Sequence, residues 1–134
     1  MSAKTEAFLA EWHDIVKSRN PSKLDEILDD QAVMLSPVVH TPQVGKQITK
    51  MYLTAALGVF ANDSFKYVRE LTSEDSLVLE FETEINGIFI NGIDMIKLND
   101  EGKVIEFKVM VRPLKALNLI HEMMGKMLAS FSKS

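Results

Sequence analysis

One carboxylate occupies a position where strand alternation predicts burial. Asp94 lies in the segment 88–98, and residues on the same side of this predicted strand, such as Ile90 and Ile96, are apolar. An isolated charge on the apolar face of a sheet is costly, so such an acid is expected to be paired or neutral. Burial raises a carboxyl pKa, and a neutral acid lining a cavity can donate to a ligand oxygen. The alternative is a structural acid satisfied by Trp12 or by a backbone N–H.

Two further side chains are candidates for chemistry at a pocket. His40 lies between Pro37 and Pro42, which restrict the backbone and predict an irregular stretch. Because loops often carry functional residues, His40 is a candidate catalytic base, with an exposed loop histidine as the alternative. Tyr52 lies on the apolar side of a predicted helix and is a candidate ligand contact through its hydroxyl group. We expect His13 at the surface or at a dimer contact.

The composition excludes several other kinds of site. The chain has 134 residues, a net charge of −4 and scattered lysines and arginines, unlike the clustered cations of nucleic-acid surfaces. It has no cysteine, which excludes disulfides and thiolate metal sites and fits a cytoplasmic protein. His121 and Glu122 begin a zinc-protease motif, but Gly125 replaces the second histidine, so we expect no metal and no cofactor. We also expect no signal peptide and no membrane-spanning segment.

Hydrophobic periodicity predicts the elements that position these residues. Apolar residues recur at helical spacing in four segments and at a spacing of two in most of the others. The predicted helices are 4–19, a short one after Pro21, 45–60 and 113–131. The predicted strands are 31–36, 64–71, 77–85, 88–98 and 103–111. Asn86-Gly87 between two apolar runs is a strong hairpin signal.

This order of elements predicts a single α+β domain over residues 1–134. Helices precede a run of hairpin-connected strands, so we expect a curved, mainly antiparallel sheet covered by the N-terminal helices, with an added C-terminal helix. Strand alternation places Phe81, Phe107 and Val109 on the same inner face as Asp94. It also places Ile105 on that face.

Two segments carry a family resemblance, residues 10–37 (AEWHDIVKSRNPSKLDEILDDQAVMLSP) and residues 93–104 (IDMIKLNDEGKV). Both resemble ketosteroid isomerase without gaps, and the whole chain resembles the nuclear-transport-factor-2-like (NTF2-like), or SnoaL-like, superfamily. The resemblance implies a cone-shaped scaffold. It also implies a small, largely apolar ligand in the cone, such as a terpenoid, steroid or polyketide-like molecule.

The resemblance assigns roles to three positions. The isomerase's buried acid matches Asp94, its second oxyanion donor (a tyrosine) matches Trp12, and its catalytic base (an aspartate before a proline) matches Ser36. Trp12 can still donate through its indole N–H. Ser36 cannot abstract a proton from carbon near neutral pH unless a base lies beside it. The implied function is ligand binding, with an isomerase, lyase or cyclase using Asp94 as acid as one interpretation. A non-catalytic binding module or dimeric assembly module is the other.

The second face of the strands predicts an interface. It mixes apolar residues, among them Phe89, Ile93 and Met95, with glutamates such as Glu80 and Glu82. Superfamily members commonly form dimers, so we predict a homodimer through this outer face of the sheet. The C-terminal helix is rich in methionine, which suits an irregular apolar contact. We expect that helix to cap the cone, to pack on the sheet or to meet a partner.

Overall fold

A computed structural model describes residues 2–131 of the chain. Its helices are α1 (Ala3–Ser18), α2 (Leu24–Ile27), α3 (Lys46–Phe60) and α4 (Leu114–Phe131), with a 3-10 helix at Pro21–Lys23 before α2. Its strands are β1 (Leu28–Leu35), β2 (Gln43–Val44), β3 (Lys66–Thr72), β4 (Ser76–Ile85), β5 (Ile88–Leu98) and β6 (Val104–Arg112). The strands form one open sheet of order β2-β1-β6-β5-β4-β3. This arrangement confirms the predicted α+β class and the added C-terminal helix.

Local sequence signals account for most of the element boundaries. Ser2 and Thr5 form a capping box that starts α1, and the Asn20 side chain caps the 3-10 helix that begins with Pro21. Asn86 and Gly87 have φ angles of 52° and 78°, the positive values that a two-residue hairpin turn of type I′ requires. The hairpin therefore joins β4 and β5 as the sequence predicts.

The sheet is mixed, because β1 runs parallel to β6 while the other neighbouring pairs are antiparallel. The parallel ladder begins at Leu28 opposite Val104, so β1 starts earlier than the predicted 31–36. Strand β2 was not predicted. It has two residues, too few to show alternation, and it pairs with β1 through Val33–Val44 and Met34–Gln43.

The inner face of the sheet forms the core together with α1 and α3. Alternate residues of β4 and β5 are buried, including Asp94, as the alternation predicts. On β6 the prediction is wrong at one position. The ladder between β5 and β6 shifts register after Lys97–Glu106, so Val104 is fully buried and Ile105 is only half-buried. An extra residue at a bulge exchanges the faces of the residues beyond it.

Helix α4 packs along α3 and against the neighbouring strands β5 and β6. The two helices meet closely at Gly58, where a Cβ atom would lie 2.8 Å from the methyl carbon of Met127. Ala116, Ile120 and Met124 are buried in this contact region. The methionine-rich face thus packs on the chain's own helix and sheet. Within residues 2–131, no helix combines the length and the apolar character needed to cross a bilayer.

Candidate active site

Asp94 is the acceptor of a chain of side-chain hydrogen bonds that runs from helix α1 to strand β5. The indole Nε1 of Trp12 donates to the hydroxyl oxygen of Tyr67 over 2.8 Å. That hydroxyl in turn donates to Oδ2 of Asp94 over 2.7 Å. Asp94 is 7% exposed. The buried acid is therefore satisfied by Tyr67, and Trp12 reaches it only through that residue.

The second carboxyl oxygen of Asp94 has no hydrogen-bond partner among the described residues. Every fully enclosed side-chain oxygen or nitrogen in residues 2–131 has such a partner, so Oδ1 is not fully enclosed by protein atoms. Asp94 lines an apolar cavity between the sheet and helices α1 and α3. Oδ1 is thus the polar atom of Asp94 that remains for a molecule inside that cavity.

Burial sets the protonation of two groups at this site, the Asp94 carboxyl and the Tyr67 hydroxyl. Loss of hydration raises the pKa of Asp94 to about 7, and the hydrogen bond from Tyr67 lowers it only in part. The pKa of Tyr67 is raised well above its ordinary value, first by burial and then by the neighbouring Asp94 charge. Tyr67 therefore remains a donor, while Asp94 is about half protonated near neutral pH.

Tyr67 faces the cavity because of a β-bulge in strand β3. In the ladder with β4, Arg69 pairs with Glu80 and Tyr67 pairs with Phe81, which leaves Val68 as an extra residue. Without that extra residue, regular alternation from the β3–β4 turn would place Tyr67 on the outer face. The sequence carries no clear signal for the bulge. For this reason the principal partner of Asp94 was not among the predicted site residues.

The cavity wall is otherwise apolar and rich in aromatic rings. Trp12 and Phe107 lie 5.2 Å apart between ring centroids, and Phe65 stacks on Phe81 at 5.3 Å. A Cβ atom on Gly92 would lie 2.5 Å from the Phe81 ring and 2.7 Å from a backbone carbonyl oxygen of β6. Glycine at this position therefore allows the Phe81 ring to pack closely against the backbone of β5. The remaining lining residues are Val16, Leu53, Ala56, Leu57, Phe60, Ala61 and Val109.

The cavity is small, with a volume of about 50 Å³. A single water needs roughly 10–15 Å³ measured in this way, and pockets for drug-sized ligands span about 300–1,000 Å³. A steroid-sized molecule must therefore displace side chains of the wall. Beside the cavity lies a recess of about 410 Å³ that we call the vestibule. It is lined by His13, Val16, Lys17, Arg19, Ala61, Asn62, Asp63, Phe65, Lys66 and Tyr67.

The structure brings some of the predicted site residues together and separates others. Trp12, Phe81, Phe107 and Val109 line the cavity with Asp94. Tyr52 is buried in the core and does not line the cavity. Ser36 and His40 line a separate surface groove beside Lys108, Met110 and Leu117.

The two candidate histidines, His40 and His13, do not line the Asp94 cavity. His40 is exposed, and its groove shares only Val109 with the Asp94 cavity. His13 is partly exposed, pairs with Glu70 of β3, and lies 6.0 Å from the Tyr67 ring between centroids. His13 therefore borders the vestibule.

Within residues 2–131, histidine and acidic side chains do not gather in any set that could hold a metal ion.

Comparison with known proteins identifies relatives among solved structures. The structure matches a steroid delta-isomerase from Pseudomonas aeruginosa at 40% sequence identity and a TM-score of 0.93, covering 100% of this chain and 98% of that one. An NTF2-like protein of unknown function from Mesorhizobium loti matches at 16% identity and a TM-score of 0.73, covering 84% and 93% of the two chains. No family model matches the chain, and no curated protein matches it.

A third solved structure has the same fold. SalBIII, an epoxide hydrolase/cyclase-like enzyme with a role in pyran ring formation in the polyether salinomycin, matches at 16% identity and a TM-score of 0.63. The match covers 80% of this chain and 89% of that one. At this identity, as for the Mesorhizobium protein, the likeness shows the fold alone.

Proposed function

The chain belongs to the NTF2-like, or SnoaL-like, superfamily, and on that basis we propose that it binds a small, largely apolar molecule in the Asp94 cavity. The observation that carries the proposal is a carboxyl group in an apolar cavity. One of its oxygens is held by Tyr67, and the other has no partner among residues 2–131. A neutral carboxyl donates well to a carbonyl or hydroxyl oxygen. The ligand is thus a terpenoid, steroid or polyketide-like molecule with such an oxygen at one end.

The same acid supports a catalytic version of this function. General acids work best when their pKa lies near the working pH, and the Asp94 pKa of about 7 meets that condition. The reaction would be an isomerisation, elimination or cyclisation in which Asp94 protonates or stabilises a developing oxyanion. The 40% identical Pseudomonas relative is a steroid delta-isomerase, which favours this class.

The cavity supplies an acid without a clear base, which favours binding over catalysis. Among the described residues, Asp94 and Tyr67 are the titratable side chains that line it. Tyr67 donates to Asp94, and Asp94 is the acid, so no second group is left there to act as the base. Ser36 lies in the position that the resemblance assigns to the isomerase base, and its hydroxyl oxygen accepts from the backbone N–H of Val38. We assign no role to His40, because it lies in a separate groove. A binding module without chemistry is the alternative to an enzyme.

Fluorescence of Trp12, the single tryptophan of the chain, tests ligand binding directly. Progesterone and camphor, which carry ketones, should change the emission on titration because Trp12 lines the cavity. Asp94→Leu should weaken ketone binding about tenfold, the effect of one lost hydrogen bond to a buried group. Its effect on the parent hydrocarbons pregnane and bornane should be small. An absence of response to every ketone would contradict the proposal.

We propose further that the protein forms a homodimer through the outer face of the sheet. Phe89 on β5 and Met110 on β6 are 52% and 55% exposed, and both point away from the core. Ile93 and Met95 are half-buried on the same face, opposite Glu80 and Val78 of β4. Exposed apolar residues gathered on one face are typical of an interaction surface.

Sedimentation equilibrium tests the dimer. The wild-type protein should have twice the 15.1 kDa mass of one chain, and the double variant Phe89→Glu, Met110→Glu should be monomeric, because buried unpaired carboxylates are costly. Leu114→Glu is the matched control. Leu114 is 72% exposed at the start of α4, outside the sheet face, so this change should leave the dimer intact. This interface would be excluded if the wild-type protein were a monomer at high concentration. It would also be excluded if the double variant and Leu114→Glu changed the measured mass equally.

A further inference from the structure

The vestibule adjoins the apolar cavity. Four residues line both spaces, namely Val16, Ala61, Phe65 and Tyr67. Tyr67 thus has its hydroxyl against Asp94 and part of its ring in the wall of the vestibule. The vestibule is therefore the neighbouring space into which a ligand longer than the small cavity can extend once wall side chains move. The side chains that line the vestibule therefore determine which chemical group is favoured at the end of such a ligand opposite Asp94.

Positive charge predominates in the vestibule, although the chain as a whole carries a net charge of −4. Lys17, Arg19 and Lys66 contribute cations, and Asp63 contributes one carboxylate. Arg19 donates to Asp63 over 3.0 Å, but Asp63 is fully exposed, so this pair is weak and easily exchanged. Among the described residues, Lys17 and Lys66 make no ion pair, although Lys66 stands opposite Glu82 in the β3–β4 ladder. Both lysine side chains are exposed at the rim.

We propose that the ligand of this site is amphipathic and carries an anionic group, a carboxylate or a sulfate or phosphate ester, at the end opposite Asp94. The inference rests on the proposed binding function and specifies its ligand class. The apolar body occupies the cavity, the carbonyl or hydroxyl oxygen meets Asp94, and the anion lies among Lys17, Arg19 and Lys66. Lys17 and the C-cap residue Arg19 lie within one helical turn after Val16, which lines both spaces, so the C-terminal end of α1 contacts both parts of the ligand.

Matched ligands that differ only in charge test this inference by Trp12 fluorescence. Dehydrolithocholate has a ketone at one end of a steroid and a carboxylate at the other, and its methyl ester lacks the charge. The acid should bind about tenfold more tightly than the ester, because three cations act on one anion and a single exposed ion pair contributes a factor of up to about five. Pregnenolone sulfate and pregnenolone form the second pair, which separates sulfate from carboxylate recognition. Raised salt should reduce the preference in either pair.

Lys17→Glu should abolish the preference for the acid over its ester. Lys115→Glu is the matched control, because Lys115 is an exposed lysine on α4 outside the vestibule and the variant has the same net charge. A charge preference in either pair that Lys17→Glu removes and Lys115→Glu retains supports the proposal. Equal affinity within both pairs, or equal effects of the two variants, overturns it. Failure of all four probes to bind would overturn the binding function as well.

Discussion

Asp94→Asn should raise the free energy of unfolding by about 4 kcal/mol near pH 8 and by less than about 1 kcal/mol near pH 4. In the folded protein Asp94 titrates at about 7, whereas its ordinary value is 3.8. Above pH 3.8 the unfolded chain releases a proton that the folded chain keeps, so this carboxyl progressively favours unfolding. The loss of stability grows as the pH rises from 3.8 to about 7 and is complete above that value. Asparagine does not ionise, so the Asp94→Asn variant does not lose folding stability in this way as the pH rises.

The comparison depends on asparagine keeping the neighbouring contacts. Its side-chain oxygen can accept the hydrogen bond that the Tyr67 hydroxyl donates to Asp94, and its volume is nearly the same. Urea denaturation of both proteins at several pH values measures the difference. Asp100→Asn is the control, because Asp100 is exposed in the β5–β6 turn and should give a difference that does not vary with pH in this way. A gain for Asp94→Asn that is the same at all pH values would refute the explanation.

Tyr67→Phe should lower the free energy of unfolding by about 3 kcal/mol, because it removes two buried hydrogen bonds at once. The variant leaves Oδ2 of Asp94 without its donor and Nε1 of Trp12 without its acceptor. It should also move the pKa of Asp94 above 7, since the Tyr67 hydrogen bond is the contact that lowers this pKa. The destabilisation should therefore be larger at alkaline pH, where the carboxylate is charged and unpaired.

A second tyrosine provides the control for this change. Tyr52 is buried on α3, and its hydroxyl makes no side-chain hydrogen bond among the described residues. Tyr52→Phe should therefore cost less than about 1 kcal/mol, the net value of a hydrogen bond exchanged with water. Urea denaturation of the two variants side by side makes the comparison. If both variants lost the same stability, the Trp12–Tyr67–Asp94 chain would not contribute as we describe.

Regular alternation explains why so much of the site could be predicted from the sequence. The β4–β5 hairpin has an unambiguous turn at Asn86-Gly87, and each strand keeps its register over its whole length. The period of two therefore places Asp94 and Phe81 on the buried face without further information. Trp12 was found in a similar way, from the helical spacing of the apolar residues in α1 and from the family resemblance.

The positions that the sequence did not reveal follow from irregular backbone. The bulge at Val68 turns Tyr67 inward, and the register shift between Val104 and Glu106 moves Ile105 off the inner face. Such bulges depend on long-range pairing and leave no local pattern. The stretch after Ser36 has two prolines and no periodicity, so its course and the position of His40 could not be predicted.

A carbon-13 NMR titration of the Asp94 side-chain carboxyl tests the central claim most directly. The signal is assigned by its absence from the Asp94→Asn variant. We predict a midpoint of about 7, because the carboxyl is buried in an apolar cavity with one compensating hydrogen bond. A midpoint near the ordinary value of 3.8 would show that Asp94 is charged and solvated at neutral pH, which would contradict its role as a neutral donor to a bound ligand.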